Sequence, residues 1–189
     1  NAPAVAAEPV HADRYPSREV TFENGARGIP DMVYWAPVGY RPLTLDLYLP
    51  PEPPPPGGRP LIVYLHGGGW SIGHTRHGGP FIDFPGVLAW LAGWGYVVAS
   101  VEYRLTGEAE FPAQIQDVKA AIRWLRQNAE EYGIDRDRVV VWGESSGGHL
   151  AALAALSCGS EALSPVGVRV APGSPEIGFW HPVLGSWQS

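Results

Sequence analysis

Arg138-Val139-Val140-Val141-Trp142-Gly143-Glu144-Ser145-Ser146-Gly147-Gly148-His149-Leu150-Ala151-Ala152-Leu153 runs from an apolar, β-branched segment through a small-residue turn into an Ala/Leu-rich one. That succession predicts strand, tight turn, helix, with Ser145 at the sharp junction and its hydroxyl at the carboxyl edge of a sheet. Gly143 and Gly147 fall where a Cβ would crowd the turn and the neighbouring strand. Amides that open the following helix, Ser146 first, point toward an anion formed at Ser145 and are helped by the helix dipole.

A second glycine turn lies upstream. Leu61-Ile62-Val63-Tyr64-Leu65 is a continuous apolar run, as a central parallel strand covered on both faces requires, and it leads straight into His66-Gly67-Gly68-Gly69-Trp70. Three glycines let the backbone turn with its amides exposed to a bound anion. Two such loops, each at the carboxyl end of a parallel strand, face one crevice.

The rest of the pattern fits an α/β layered sheet with flanking helices. Leu43 to Leu49 alternates like a half-buried strand, Val20-Thr21-Phe22 is short and β-prone, and Tyr96 to Val101 is another buried strand. The proline-rich stretch Pro50 to Pro60 predicts a stiff surface connection. Phe84, Val87, Leu88 and Leu91 mark a helix between Pro80 and Trp94, closed by Gly95. Ile115, Val118, Ile122, Leu125, Ala129 and Tyr132 share one face of a longer helix that Phe111-Pro112 opens and Gly133 follows. Helical crossovers between successive apolar strands imply parallel pairing, so the sheet is expected to be mostly parallel. The organisation expected is a loose lead-in over 1–17, an α/β domain over 18–158 and an irregular Pro/Gly-rich tail over 159–189. In that tail only the valine alternation over 166–171 suggests a short edge strand.

Composition narrows the function. A formal net charge of −6 argues against nucleic acid or an anionic membrane as partner, and no apolar run reaches transmembrane length. Cys158, the one cysteine, cannot close an intramolecular disulfide. No His/Cys/acid spacing suggests a metal site, the glycine loops lack the Lys-Ser/Thr ending of a phosphate loop, and no cofactor is expected. Asn1 to Ala7 reads either as the start left by removal of a signal peptide or as an arbitrary start, so a cytoplasmic, secreted or periplasmic setting stays open.

On these motifs the chain resembles the α/β-hydrolase superfamily, in particular its bacterial carboxylesterase, lipase and feruloyl-esterase-like branch. Gly143 to Ala152, His66 to Gly73, Glu102-Tyr103-Arg104-Leu105, and Phe111-Pro112-Ala113 with Asp117 carry the likeness, which extends over about Leu43 to Leu156. The resemblance implies that Ser145 is the nucleophile and that Gly68, Gly69 and Ser146 supply oxyanion amides. It implies that His66 orders the glycine loop, with Gly67, Trp70, Gly143 and Gly147 supporting the two motifs. The substrate implied is a small-molecule carboxylic ester, hydrolysed through an acyl-enzyme on Ser145. The His-Gly-Gly-x-Trp stretch is also similar to the arylformamidase motif, which keeps an amide substrate open.

In that family the catalytic acid and histidine come after the serine in chain order, on loops that leave later strands. Here the later acids are Glu161 and Glu176 and the later histidines are His149 and His181. His149 is expected one helical turn along from Ser145, away from the mouth of the crevice, as a structural residue; Glu144 is expected to be a turn residue. The expectation is therefore a chain truncated after the nucleophile helix, with later strands missing and weak activity, or a catalytically silent binding domain. Val139, Val140 and Val141 read as buried on both faces, so a strand left without its neighbour predicts self-association along that edge.

Overall fold

The computed structural model describes residues 19–157, 159–165, 179–180 and 187–188. The lead-in over 1–17, Cys158, the valine alternation at 166–171, Glu176 and His181 lie outside them.

Six strands form one sheet: β1 (Val20–Thr21), β2 (Arg27–Trp35), β3 (Leu43–Leu49), β4 (Arg59–Leu65), β5 (Val97–Val101) and β6 (Ile134–Gly143), in spatial order β1-β2-β3-β5-β4-β6. Helix α1 (Phe84–Gly93) joins β4 to β5, α2 (Ala113–Gln127) joins β5 to β6, and α3 (Ser146–Leu156) follows β6. β4 pairs in parallel with both β5 and β6, as helical crossovers demand. The other half, β1-β2-β3-β5, is antiparallel throughout, so the sheet is mixed. β7 (Phe179–Trp180) and β8 (Trp187–Gln188) form a separate short antiparallel ladder whose β7 lies near β6.

The continuous apolar runs of β4 and β5 are explained by layers on both faces. Leu61, Val63, Leu65, Val97, Ala99 and Val101 join Ile115, Val118, Ile122, Leu125, Leu150 and Ala154 under α2 and α3. Tyr64 and Val98 point the other way, to Phe84, Leu88, Ala89 and Ala92 of α1. β3 is covered on both faces instead of half-buried. Its buried Asp46 accepts from the Asp31 amide (2.8 Å), Thr75 Oγ1 (2.9 Å) and Arg76 Nε (2.8 Å), which satisfies a carboxylate that alternation alone places in solvent. β2 is missed by periodicity because register shifts between Ile29 and Met32, and again between Val33 and Trp35, break its alternation.

Helix ends differ from the sequence reading for local reasons. α2 stops at Gln127, where Asn128 caps Trp124 O through its amide (3.0 Å) and its side chain (2.8 Å). Turns then carry Ala129 and Tyr132 on along the same face to Gly133, which prolongs the apolar period beyond the helix. α1 is shorter than the expected span between Pro80 and Trp94, and is capped by Asp83 Oδ1 on the Gly86 amide (3.0 Å). Trp90 and Trp94 are exposed and lie against each other, with ring centroids 5.0 Å apart. Along β6, Val139 is buried and Val141 half-buried, whereas Val140 is 47% exposed and leaves apolar surface uncovered on this strand.

Candidate active site

β4 and β6 are adjacent and aligned so that Leu65 pairs with Gly143. The two glycine loops therefore leave the sheet side by side and at the same level. Contact between them is close. A Cβ on Gly147 would lie 2.0 Å from Leu65 O and 2.6 Å from His66 O, and one on Gly143 would lie 2.5 Å from Gly147 C. These distances are far inside van der Waals contact, so only glycine lets α3 start against the end of β4.

Ser145 sits at the N-cap of α3 with φ 49° and ψ −120°, an uncommon conformation for a residue with a side chain. Its side chain makes no capping bond and is exposed at the junction. Strain of this kind costs of order 1–3 kcal/mol and persists where the surrounding structure enforces it. Enforcement here comes from Glu144 O, which accepts from the Gly147 (2.8 Å) and Gly148 (3.1 Å) amides, and from Ser145 O, which accepts from the His149 amide (3.0 Å).

Gly68, Gly69 and Trp70 succeed one another with φ of 116°, 60° and 58°. The carbonyls of this turn are all engaged. Gly68 O accepts from the Ser71 (3.0 Å) and Ile72 (3.2 Å) amides, Gly69 O from Ser71 Oγ (3.2 Å), and Trp70 O from the Thr106 amide (2.8 Å). The amides of Gly68, Gly69 and Ser146 donate to no backbone carbonyl among the described residues. Three uncommitted donors thus lie on two abutting loops, an arrangement suited to an anion.

His66 is fully buried beneath that turn. Its ring stacks on Tyr103 with centroids 4.3 Å apart and planes 11° apart, and Tyr103 Oη donates to His66 O at 2.7 Å. Burial lowers the imidazole pKa, so the ring is neutral and its Nδ1–H donates to Gly67 O at 2.8 Å. Gly73 lies flat against the same ring, where a Cβ would come within 2.2 Å of Nδ1. His66 is therefore part of the loop's support and is not presented to Ser145.

His149 is exposed and stands edge-on to Trp70, with centroids 5.3 Å apart. Its side chain thus borders the glycine loop instead of pointing away from the crevice. A helical side chain leans back toward the N-terminus, which explains the departure. Neither His66 nor His149 hydrogen-bonds Ser145 Oγ among the described residues. Glu161 lies in a 3-10 turn, Glu161–Leu163, beyond α3.

Sequence reasoning missed the outer braces. Ser71 Oγ meets Thr106 Oγ1 at 3.0 Å, tying the glycine loop to the segment after β5. The same segment is fixed by Arg104, whose Nη2 pairs with buried Asp117 at 2.6 Å and whose guanidinium lies over the rings of Trp35 and Tyr40. The Glu102 to Leu105 stretch and Asp117 carried that signal only through resemblance. No group of three or more His, Cys, Asp or Glu gathers as a metal site among the described residues, and no described helix is long and apolar enough to cross a membrane.

The BD-FAE family model matches residues 45–168. Carboxylesterase NlhH of Mycobacterium tuberculosis is 38% identical over 142 residues, covering 75% of this chain and 38% of NlhH. A thermophilic esterase, Est2 of Thermogutta terrifontis, superposes with a TM-score of 0.58 at 35% identity, over 70% of this chain and 45% of that one. The form of that esterase phosphonylated by cyclosarin matches with a TM-score of 0.57. The chain thus spans less than half the length of these relatives.

Proposed function

Because the chain belongs to the BD-FAE family, whose α/β-hydrolase relatives are serine carboxylesterases, we infer that it carries the nucleophile and oxyanion half of a carboxylic-ester hydrolase. The observation that carries this reading is Ser145, held at φ 49° on the strand–helix junction between Gly143 and Gly147, which pack against the end of β4 and the His66 carbonyl. Ser145 Oγ attacks the ester carbonyl, the alcohol leaves, and water clears the acyl-enzyme. Amides of Gly68, Gly69 and Ser146 hold the negative oxygen as it forms, which is the larger share of catalysis in such sites. Trp70 walls the acyl side. The substrate is a small-molecule carboxylic ester.

A serine needs a base within hydrogen-bond reach for full activity, and the described residues present none to Ser145. Oxyanion amides and binding alone leave a residual rate roughly 10³-fold over water. Hydrolysis by the described residues alone is therefore expected to be slow.

The test is covalent. The purified chain is treated with an organophosphonofluoridate probe, in which the serine oxygen displaces fluoride at phosphorus, and the adduct is located by peptide mass spectrometry. One adduct on Ser145, absent in Ser145→Ala, together with slow p-nitrophenyl acetate turnover lost in the same variant, is the expected result. An unreacted Ser145 would leave the catalytically silent binding domain as the reading.

A further inference from the structure

Glu144 is the one residue of the turn between β6 and α3 that the esterase reading leaves without a task. Its side chain folds back beneath the glycine loop. A Cβ on Gly67 would meet Glu144 Oε1 at 2.9 Å and Cγ at 3.2 Å, and a Cβ on Gly79 would meet Oε2 at 2.2 Å. Gly67 and Gly79 stand near the two ends of the long excursion between β4 and α1, so one carboxylate touches both. Gly78 is backed on its other side by the Phe84 ring, 2.1 Å from where its Cβ would be. The return turn is thus clamped between the α1 core and Glu144. Burial first, and the Glu144 charge second, hold the Tyr64 phenol above its ordinary range, which places the carboxylate near that ring as well. The Glu144 carbonyl meanwhile anchors the first amides of α3.

We propose that Glu144 is the positioning residue of the glycine loop, its side chain setting by shape the spacing between the Gly68 and Gly69 amides and the Ser146 amide. This rests on the esterase reading for its catalytic meaning, but not for the contact itself. Donors on two separate loops stabilise one oxygen only if their separation is fixed, and a misplacement of about 1 Å costs up to roughly a hundredfold in rate. A run of glycines has no side chains with which to hold itself. Glu144 supplies a backstop beside the His66 ring and the Ser71–Thr106 tie. Shape and not charge is what serves, because a negative charge beside a developing oxyanion opposes it.

The experiment compares wild type with Glu144→Ala, Glu144→Gln and Gly67→Ala. Amide hydrogen exchange is read over residues 66–80, and residual p-nitrophenyl acetate turnover is measured alongside. Glu144→Ala is expected to speed exchange in that segment about tenfold while β4 and β5 stay protected. It should lower kcat about ten- to a hundredfold at unchanged KM. Glu144→Gln, which fills the same space, restores both. Gly67→Ala pushes the loop off the carboxylate and loosens the same segment, and its effect shrinks when Glu144→Ala is added. Unchanged exchange in Glu144→Ala, a Gln variant as impaired as the Ala one, or loosening spread over the whole sheet would each overturn the proposal. If the probe leaves Ser145 unlabelled, the esterase reading fails while exchange still decides the contact.

Discussion

Replacing Gly147 by alanine tests the packing that brings the two loops together. The added methyl would sit 2.0 Å from Leu65 O and 2.6 Å from His66 O. Ordinary C···O contact is about 3.3 Å, so more than about 1 Å of movement is needed, and the obstacle is the backbone of the central strand. That strand is held on one side by β5 and on the other by β6. Relief must therefore come from α3, whose Leu150 and Ala154 are buried in the core. Overpacking with freedom to adjust costs about 1–3 kcal/mol, and backbone against backbone belongs above that range, at about 4 kcal/mol. This is a large share of a net stability of about 5–15 kcal/mol. Gly148→Ala is the control one residue along. Its methyl would meet Gly143 O at 3.2 Å, a mild crowding set against about 1 kcal/mol of helix propensity gained, so stability should change by less than about 1 kcal/mol. Urea unfolding monitored by circular dichroism measures both, with equal m-values certifying a common transition. Equal midpoints for the two variants would refute the reasoning, because the close approach of α3 to β4 would then not be tight.

Two other parts of the molecule give outcomes of their own. Burial lowers the His66 pKa, so near and below its ordinary value of about 6.5 the unfolded chain binds the proton more readily than the folded one. Stability should fall as the pH is lowered from about 7 through that range, and denaturant titrations between about pH 8 and 5 should show a shallower slope in His66→Gln; an identical slope would remove His66 as the cause. β6 is one of the two edge strands of the described six-stranded sheet and Val140 is exposed on it, so the chain is expected to self-associate along that edge, and Val140→Lys should shift size-exclusion profiles toward monomer. A wild-type monomer with one sharp thermal transition above about 60 °C would argue that the edge is already satisfied.

What the sequence makes legible is the part of the fold written in contiguous runs. Residues 61–65, residues 96–101 and the stretch around Ser145 are each buried strands or junctions determined by their own residues, and the structure pairs them in parallel. β2 is not legible because its two register shifts scramble the period. The burial of Asp46 is not legible either, since its partners Asp31, Thr75 and Arg76 come from elsewhere in the chain. At the site the glycines announce that the backbone must turn. They do not announce what they make room for: the His66 ring under Gly73, the β4 carbonyls under Gly147, the Glu144 carboxylate between Gly67 and Gly79. Those are pairings of distant residues, which periodicity cannot register.

The strand order carries a consequence for how the molecule is made. β4 precedes both β5 and β6 in the chain yet lies between them, so its second edge stays open until the chain has run through α2 and returned. Pairing across such separations is entropically expensive and is completed late, after local helices and hairpins have formed. Nothing compels Ser145 into its unfavourable backbone conformation until Gly143 aligns with Leu65 and Gly147 closes on the strand end. A nascent chain therefore carries Ser145 in an ordinary, relaxed backbone, and the strained conformation appears only when the crossover from β5 through α2 to β6 closes.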